Sequence, residues 1–538
     1  MTRKMFDVQH RRDVRSVAAN KTRPRLHISA IAFALPCLLG GLTLLLHLLA
    51  GPRTIDDAYI TFHYAQNIAI GNGFVFNPGN HVLGTTTPFY TLLLAALYKL
   101  SGVPLPLLGL LVAAIASCLC DILVYVLVLR VTTRRVPAIL AATTFALAPR
   151  VFFFAQSGME TSLITCTMLA CCWFYLHRRQ SLWGLTAGIA LLTRPDAACF
   201  VCVLLIYDLW ERHAIPWRAL TTVFAVCTPW IVWATWYFGQ PIPQSILAKS
   251  NNLYEVKLHD TLTTVFQDAG SLALGSGSTS IGLLLLVVTG ALSWRALGPG
   301  TTRLRPILLF AAIFALIYAL GGIKHIAVEL WYLVPLTPIY CFALWVGIDY
   351  AFSRSGFLLR GAGLSVLGVI VVTAQCSGLV LRTEARHYVL APPSLSSPLR
   401  ESGYQTVCKH LAALLTPRTV VASSEVGTLG YYCQATILDV AGLVTRGVGH
   451  YYPVPAAELT PGTGYAVPSQ LVDDRAPDFV VTQEIFARNS LLRDPTFNHD
   501  YVQILHLYKS SYGNRGLLVF QRHLDRRLAL VKNKRGQT

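Results

Sequence analysis

Apolar runs of 17–25 residues recur along this 538-residue chain, and they constrain its fold more than any other feature. Each run is long enough to cross the roughly 30 Å hydrocarbon core of a bilayer as a helix. With 54% hydrophobic and 13% charged residues, the composition excludes an ordinary soluble protein. The net charge of +18 indicates topology rather than nucleic-acid binding, because Lys and Arg collect in short loops between apolar runs. We therefore predict a polytopic α-helical membrane protein.

Placing the basic loops in the cytoplasm predicts about eleven transmembrane helices after a disordered basic cytoplasmic tail, residues 1–27. The predicted spans are 28–50, 106–130, 136–154, 161–177, 181–193, 197–210, 217–238, 279–295, 306–322, 330–350 and 361–380. Residues 87–102 form an apolar stretch that is short for a span, and counting them as one would move nearly every basic cluster outside. We therefore predict an interfacial helix there. The transmembrane domain is 28–382, with outer loops 51–105 and 239–278.

The composition changes near residue 383, and residues 383–538 predict a soluble, extracytoplasmic α/β domain that ends in a basic tail. Five short segments rich in β-branched and aromatic residues are predicted to be strands. They are 419–423, 436–440, 478–482, 501–508 and 516–522. Helices are expected at 398–415 and 466–475. Of the 13 cysteines, only Cys408 and Cys433 lie outside apolar runs, and no Cys/His metal spacing appears there.

Two adjacent carboxylates, Asp56 and Asp57, follow the first span in a chain with few acids. One explanation is a general base held at the membrane surface. The other is structural, since an Asp at the start of the helix beginning AYITFHYAQN would cap it. Both explanations remain open from the residues alone.

Further charged and aromatic residues fall in the loops predicted to face outward. They are Glu160, Arg194, Asp196, Lys249, Lys324, His325 and Glu329, the last beside Trp331 and Tyr332. Each has an ordinary explanation on its own, such as an interfacial anchor or a helix cap. Together they predict a polar cavity on the outer face that holds an anionic lipid head and an acceptor.

The first outer loop, DDAYITFHYAQNIAIGNGFVFNPGNHVLGTTTPFYTLLLA, resembles the signature of the GT-C glycosyltransferases. These polytopic enzymes use polyprenyl-phosphate sugars, and the resemblance is to protein mannosyltransferases, lipid A aminoarabinose transferases and mycobacterial terminal arabinofuranosyltransferases. SGMET, LLTRPDA, GQPIP, ELWYLVPLTP and SSEVGTLGYYCQATILDVAGL follow in the expected order. The resemblance covers about residues 50–445.

The resemblance implies roles for individual residues. Asp56 would be the general base, with Asp57 and Glu160 near the acceptor. The donor phosphate would be bound by Arg194, Lys249, Lys324 and His325. The acceptor or sugar would be bound by Tyr59, His63, Asn80, Glu329, Trp331 and Tyr332. Asn80 departs from the pattern, because an acid is expected at that position.

The predicted function is inverting transfer of a sugar from a polyprenyl-phosphate donor to a hydroxyl on a glycan, lipid or protein acceptor. The site would face outward from the cell inner (plasma) membrane. We expect no nucleotide cofactor, because no phosphate-cradling glycine loop is present, while a divalent cation held by the Asp pair with Glu160 stays open. The alternatives are a transporter or flippase for a lipid-linked or anionic substrate, and a binding protein that acts through its C-terminal domain. Most charges lie at span ends rather than mid-membrane, Asp121 excepted, which favours an enzyme.

The predicted topology can be tested by labelling cysteines introduced near Leu100 and near Arg134 in intact cells. We expect a membrane-impermeant reagent to label the site near Leu100, since it would lie along the outer interface. The site near Arg134 should stay unlabelled until the membrane is permeabilised. Labelling of the Arg134 site from outside would contradict the eleven-span arrangement.

Overall fold

A computed structural model describes residues 30–250, 258–274, 279–321, 329–354, 356–384, 397–461, 463–507 and 515–523. The predicted cytoplasmic tail, Lys324, His325 and the basic C-terminal tail lie outside these residues. The statements below concern the described residues.

The first part of the chain is helical throughout. Its helices are α1 (Ala30–Ala50), α2 (Asp56–Ile70), α3 (Pro88–Ser101), α4 (Leu105–Thr132), α5 (Arg135–Ala146), α6 (Pro149–Gln156), α7 (Thr161–Leu176), α8 (Gln180–Thr193), α9 (Ala197–Arg212), α10 (Trp217–Phe238), α11 (Gln244–Ser250), α12 (Leu258–Leu274), α13 (Thr279–Ala296), α14 (Arg305–Gly321), α15 (Thr337–Ala351) and α16 (Phe357–Glu384). Short 3₁₀ turns at Thr302–Leu304, Leu330–Tyr332, Val334–Leu336 and Phe352–Arg354 adjoin α14, α15 and α16.

Six helical segments of the described chain are long and apolar enough to cross a membrane. They are Leu105–Thr132, Trp217–Phe238, Thr279–Ala296, Thr302–Gly321, Leu330–Ala351 and Leu359–Ser377. The pair α5 and α6, bent by 50° at its break, would add a seventh span if it is continuous. A mostly helical fold with several spans is therefore confirmed, and the full count of eleven stays a prediction.

Helices occur in both segments predicted as outer loops, and only the helix in the first loop was predicted. The region predicted as a polar loop, 239–278, contains the helices α11 and α12, and α12 packs along α13. The apolar stretch 87–102 forms the helix α3, which is 14 residues long and packs on α2. Its position along the membrane surface remains a prediction.

The C-terminal domain contains the five predicted strands. They are β1 (Val420–Ser423), β2 (Thr436–Asp439), β3 (Phe479–Gln483), β4 (Tyr501–Leu507) and β5 (Leu517–Arg522), in the sheet order β2-β1-β3-β5-β4. The strands β2, β1 and β3 are parallel, β5 runs antiparallel to β3, and β4 runs antiparallel to β5.

Five short helices pack around this sheet. They are α17 (Ser397–Leu411), α18 (Gly427–Tyr432), α19 (Ser469–Arg475), α20 (Glu484–Ala487) and α21 (Pro495–Asp500). The predicted helix 398–415 therefore ends early, at Leu411, and the predicted helix 466–475 begins late, at Ser469. A disulfide between Cys408 and Cys433 ties α17 to the end of α18.

The carboxyl ends of β1 and β2 face the first outer loop, and a shared apolar cluster joins the two domains there. Ile60, Tyr64 and Phe76 from the outer loop pack in this cluster with residues that include Leu429 and Ile437 of the C-terminal domain. The side-chain amide of Asn77 also pairs with the edge strand β2: its Nδ2 donates to the Ile437 carbonyl at 2.8 Å, and its Oδ1 accepts from the Ile437 N–H at 2.9 Å.

Asp56 makes the most concentrated polar contact between the domains. Its carboxylate accepts hydrogen bonds from the Gly427 N–H at 2.9 Å, the Thr428 N–H at 2.8 Å and the Thr428 hydroxyl at 2.8 Å. Its own N–H donates to Glu401 at 3.1 Å. The expectation that an Asp caps its own helix is wrong, because the N-cap of α2 is Ile55 and makes no side-chain cap bond. Asp56 instead satisfies the first N–H groups of α18, on another domain.

Replacing Gly427 with Ala should weaken this contact, because a Cβ at Gly427 would lie 1.9 Å from the Asp56 carbonyl oxygen. We expect a loss of about 1–3 kcal/mol, typical of overpacking. The measurement is thermal denaturation of the purified chain, with limited proteolysis to report release of the C-terminal domain. Gly403→Ala is the matched control, since its Cβ would meet only Leu517 at an ordinary 3.7 Å. Equal melting temperatures for the two variants would contradict the docked arrangement.

Candidate active site

A cavity of about 320 Å³ opens where the first outer loop, the outer ends of several helices and the C-terminal domain meet. Its wall brings together seven of the residues singled out from the sequence: Asp57, Glu160, Arg194, Asp196, Lys249, Trp331 and Tyr332. The rest of the lining is Ile60, Thr61, Gly84, Thr85, Thr86, Thr87, Met159, Pro195, Ser245, Ile246, Tyr318 and Leu443. The structure therefore brings these charged and aromatic residues together at one cavity.

One wall is built by α2 and the Thr-Thr-Thr-Pro segment before α3. Asp57 and Thr61 are four residues apart on α2, which places both on one face of the helix. The hydroxyl oxygens of Thr61 and Thr85 lie 3.5 Å apart, and those of Thr85 and Thr87 lie 3.1 Å apart. This wall therefore offers a carboxylate beside a cluster of threonine hydroxyls.

Asp56 and Asp57 have different surroundings. Asp57 is half-buried and lines the cavity, whereas Asp56 is 5% exposed and points its carboxylate at α18. Consecutive residues of a helix project about 100° apart, so the two carboxylates cannot share one face. The cavity therefore presents Asp57 rather than Asp56.

Arg194, which follows α8, also lines the cavity. Its guanidinium forms a two-point contact with Asp196 and donates from Nη1 to the Trp331 carbonyl at 3.1 Å. The Tyr318 hydroxyl donates to Asp196 at 2.8 Å. Burial opposes the charge of Arg194, but Asp196, Tyr318 and Glu160 outweigh it and raise the pKa of Arg194. Arg194 is thus a fixed cation whose charge Asp196 largely balances.

Glu160 precedes α7 and is 5% exposed. Burial raises the pKa of its carboxyl, and Arg194, whose Nε lies 3.9 Å from the Glu160 Oε1, opposes that rise. Asp196 and Asp57 raise the pKa of Glu160 further. Glu160 therefore holds a proton to a higher pH than an ordinary glutamate.

Lys249 at the end of α11 brings a second cation to the cavity. Its Nζ donates to the Tyr332 hydroxyl at 3.1 Å. The Tyr332 ring also lies 5.1 Å from the Arg194 guanidinium carbon, so the two cations share one aromatic neighbour. Beside them, the buried Ser245 hydroxyl has no hydrogen-bond partner within the described part of the chain. This side of the cavity thus provides two positive charges and an open hydroxyl.

Four other predicted binding residues do not line this cavity. Tyr59 is buried, with its hydroxyl 3.4 Å from that of Tyr432, and His63 packs edge-on against Phe76, 4.7 Å between ring centroids. Asn80 is exposed in a turn of the first outer loop. Glu329 precedes the 3₁₀ turn that carries Trp331 and Tyr332, and its backbone carbonyl accepts from the Tyr332 N–H at 3.0 Å. Tyr59 and His63 therefore contribute to the packing between the domains.

The structure gives no support to a divalent cation held by the Asp pair with Glu160. Asp56 faces α18, and in the described ranges no three His, Cys, Asp or Glu side chains are placed to share a metal ion. No step of the chemistry below is assigned to a metal.

Several lining residues were not singled out from the sequence, notably the threonines, Ser245 and Leu443. The triple threonine lies within the first-loop motif, so that motif could have identified these threonines as site residues. No local signal marks Leu443, since its position depends on how the two domains pack.

Residues 85–233 match the family described as dolichyl-phosphate-mannose-protein mannosyltransferase. Residues 396–523 match a domain of unknown function, DUF8728. No curated protein matches this chain in sequence.

Solved structures of three glycosyltransferases share the architecture. ArnT from Cupriavidus metallidurans bound to undecaprenyl phosphate aligns with a TM-score of 0.58 at 13% identity, covering 92% of this chain and 99% of ArnT. The arabinofuranosyltransferase AftD from Mycobacteria gives 0.52 at 15% identity, covering 93% of this chain and 40% of AftD. The archaeal oligosaccharyltransferase AglB from Archaeoglobus fulgidus, in complex with an inhibitory peptide and a dolichol-phosphate, gives 0.51 at 12% identity, covering 91% and 74%.

The chain has the GT-C fold. The resemblance to the GT-C glycosyltransferases, inferred from the first-loop motif, is thereby confirmed. The alignment with ArnT spans nearly the full length of both chains, so the GT-C-type helical domain and the C-terminal domain belong to one architecture.

The pair Arg194–Asp196 can be tested by removing the negative charge. Asp196→Asn leaves the buried Arg194, 4% exposed, without its main counter-charge. We expect a clear fall in melting temperature, near the lower end of the roughly 3–5 kcal/mol typical of broken buried pairs. The double variant Arg194→Gln/Asp196→Asn should recover part of the loss, because neither charge then remains.

Asp260→Asn is the control, since that side chain on α12 is 66% exposed. A stability of Asp196→Asn equal to that of this control would show that Asp196 does not balance Arg194.

Proposed function

We propose that the protein is an inverting glycosyltransferase that moves a sugar from a polyprenyl-phosphate donor to a hydroxyl acceptor. The supporting observation is the cavity, whose wall contains both a carboxylate, Asp57, and two cations, Arg194 and Lys249. ArnT with undecaprenyl phosphate and AglB with a dolichol-phosphate share the fold, which supports a lipid-phosphate donor for this chain as well.

Each wall suits one half of such a reaction. An acceptor hydroxyl oxygen attacks the anomeric carbon while its proton passes to Asp57, which lines the cavity beside the threonine cluster. The bond between the anomeric carbon and the phosphate oxygen breaks, and its electron pair leaves on the polyprenyl phosphate. A single displacement inverts the anomeric configuration. This assigns the base to Asp57, one residue after the position that the family resemblance implied.

The leaving phosphate gains negative charge and needs fixed positive charge nearby. Lys249 suits this role, because it lines the cavity and carries a positive charge that the Tyr332 hydroxyl, 3.1 Å from its Nζ, helps to position. Arg194 suits a supporting role, because Asp196 already takes two of its donors. Glu160 lines the cavity beside Arg194, so its carboxyl can form hydrogen bonds with the sugar or acceptor.

We place the cavity and the C-terminal domain on the extracytoplasmic side of the plasma membrane. The charge distribution of the loops supports this. The disulfide between Cys408 and Cys433 adds independent support, because structural disulfides persist in oxidising compartments and are rare in the cytosol.

The decisive experiment compares Asp57→Asn with Asp56→Asn in purified, reconstituted protein. The donor is a lipid extract that contains polyprenyl-phosphate sugars, and the acceptor is envelope material from cells that lack the gene. Asp57→Asn should reduce the transfer rate by about 10²-fold or more, as expected when a positioned base is lost. Binding of undecaprenyl phosphate, measured alongside, should be retained.

Asp56→Asn should keep a maximal rate closer to that of the unmodified protein, since its carboxylate binds α18. A larger loss of rate at Asp56 than at Asp57 would return the base to Asp56. Passage of the intact lipid across the vesicle membrane, with no transfer by the unmodified protein, would favour the transporter alternative.

A further inference from the structure

The C-terminal domain reaches the cavity through the segment that follows β2, residues 440–446, here called the β2 loop. Leu443 of this loop lines the cavity. The loop covers Gly84 so closely that a Cβ there would lie 2.5 Å from Val444 Cγ1 and 2.9 Å from the Leu443 carbonyl oxygen. Arg446 ends the loop and donates to the carbonyls of His81 at 3.2 Å and Phe238 at 2.5 Å.

The β2 loop is held rigidly within its own domain. The Asp439 carboxylate at the end of β2 accepts hydrogen bonds from the Ala441 and Val444 N–H groups, both at 2.8 Å. The Asp439 N–H donates to the Thr445 hydroxyl at 3.0 Å. Because the loop is fixed to the sheet, its distance from the cavity is set by how the whole domain docks.

Close to the cavity, Asp56 holds the C-terminal domain against α2. It lies one residue before Asp57 on α2 and binds Gly427 and Thr428 of α18. Thr428 is fully buried at this contact. Displacing α18 from α2 would carry the β2 loop, and Leu443 with it, away from the threonine wall.

The neighbours of Leu443 in the cavity indicate which substrate the β2 loop contacts. Leu443 lies with Gly84, beside the threonine hydroxyls and on the same side as Asp57, the group that meets the acceptor hydroxyl. The β2 loop therefore borders the acceptor.

We propose that Asp56 is a positioning residue: it clamps α18 of the C-terminal domain onto α2, and the β2 loop thereby forms the wall that binds the acceptor. This rests on the proposed glycosyl transfer. Asp56 acts through Thr428 and the β2 loop, so its loss changes how the acceptor binds and leaves the proton transfer to Asp57.

The first test measures transfer at a series of acceptor concentrations in full-length reconstituted protein, with the donor extract and envelope acceptor described above. Asp56→Asn keeps one acceptor oxygen, and Thr428→Val removes the hydroxyl that binds Asp56 from the other side. Both should raise the half-saturating acceptor concentration by about tenfold, with little change in maximal rate. Asp57→Asn should instead lower the maximal rate.

Thr428 does not line the cavity, so a matching effect from Thr428→Val can arise only through docking. If Asp56→Asn collapses the maximal rate while Thr428→Val behaves like the unmodified protein, the positioning role is wrong and Asp56 acts in the chemical step.

The second test restores docking covalently. The 2.5 Å separation between a Cβ at Gly84 and Val444 Cγ1 places cysteines at these positions within disulfide reach. We expect Gly84→Cys/Val444→Cys to crosslink nearly completely in the otherwise unmodified chain, and less readily with Asp56→Asn or Thr428→Val added, as quantified by mass spectrometry. Once crosslinked, the Asp56→Asn chain should regain the half-saturating concentration of its crosslinked parent.

Failure of the crosslink to form in the parent, or an equal yield with and without Asp56→Asn, would overturn the proposal. If the unmodified protein transfers no sugar, the proposed function fails instead, while the crosslinking yields still decide whether Asp56 holds the loop in place.

Discussion

The buried carboxylate of Asp56 is the contact on which the arrangement of the two domains depends. It accepts three hydrogen bonds from the start of α18 on the far side of the domain boundary. A carboxylate at 5% exposure needs such donors, because an unpaired buried charge is costly. The N–H groups at a helix start need acceptors in turn, and the helix dipole favours negative charge there. Each domain thus satisfies polar groups that the other leaves open.

This docking explains why the cavity belongs to neither domain alone. The charged residues come from the helical domain, and Leu443 comes from the loop that follows β2 in the C-terminal sheet. Ligands of open α/β sheets bind outside the carboxyl ends of their strands. In this protein those ends face the first outer loop, where Asn77 also pairs with β2. The C-terminal domain, which matches a family of unknown function, is therefore part of the site.

Several charged side chains of the cavity interact with one another. Asp196 balances Arg194, and Arg194 in turn limits how far burial raises the pKa of Glu160. Lys249 Nζ donates to the Tyr332 hydroxyl at 3.1 Å, and the Tyr332 ring also lies beside the Arg194 guanidinium. The cavity therefore holds two fixed cations around one aromatic ring.

The sequence by itself determined the helical membrane architecture, the five strands and seven residues of the cavity wall, because hydropathy, β-propensity and the first-loop motif depend on local residue order. It could not determine which of two adjacent carboxylates faces the cavity. Asp56 and Asp57 are chemically identical, and a rotation of about 100° along α2 separates them. Only tertiary structure decided this, because the direction of each side chain depends on where α18, more than 300 residues further along the chain, docks against α2.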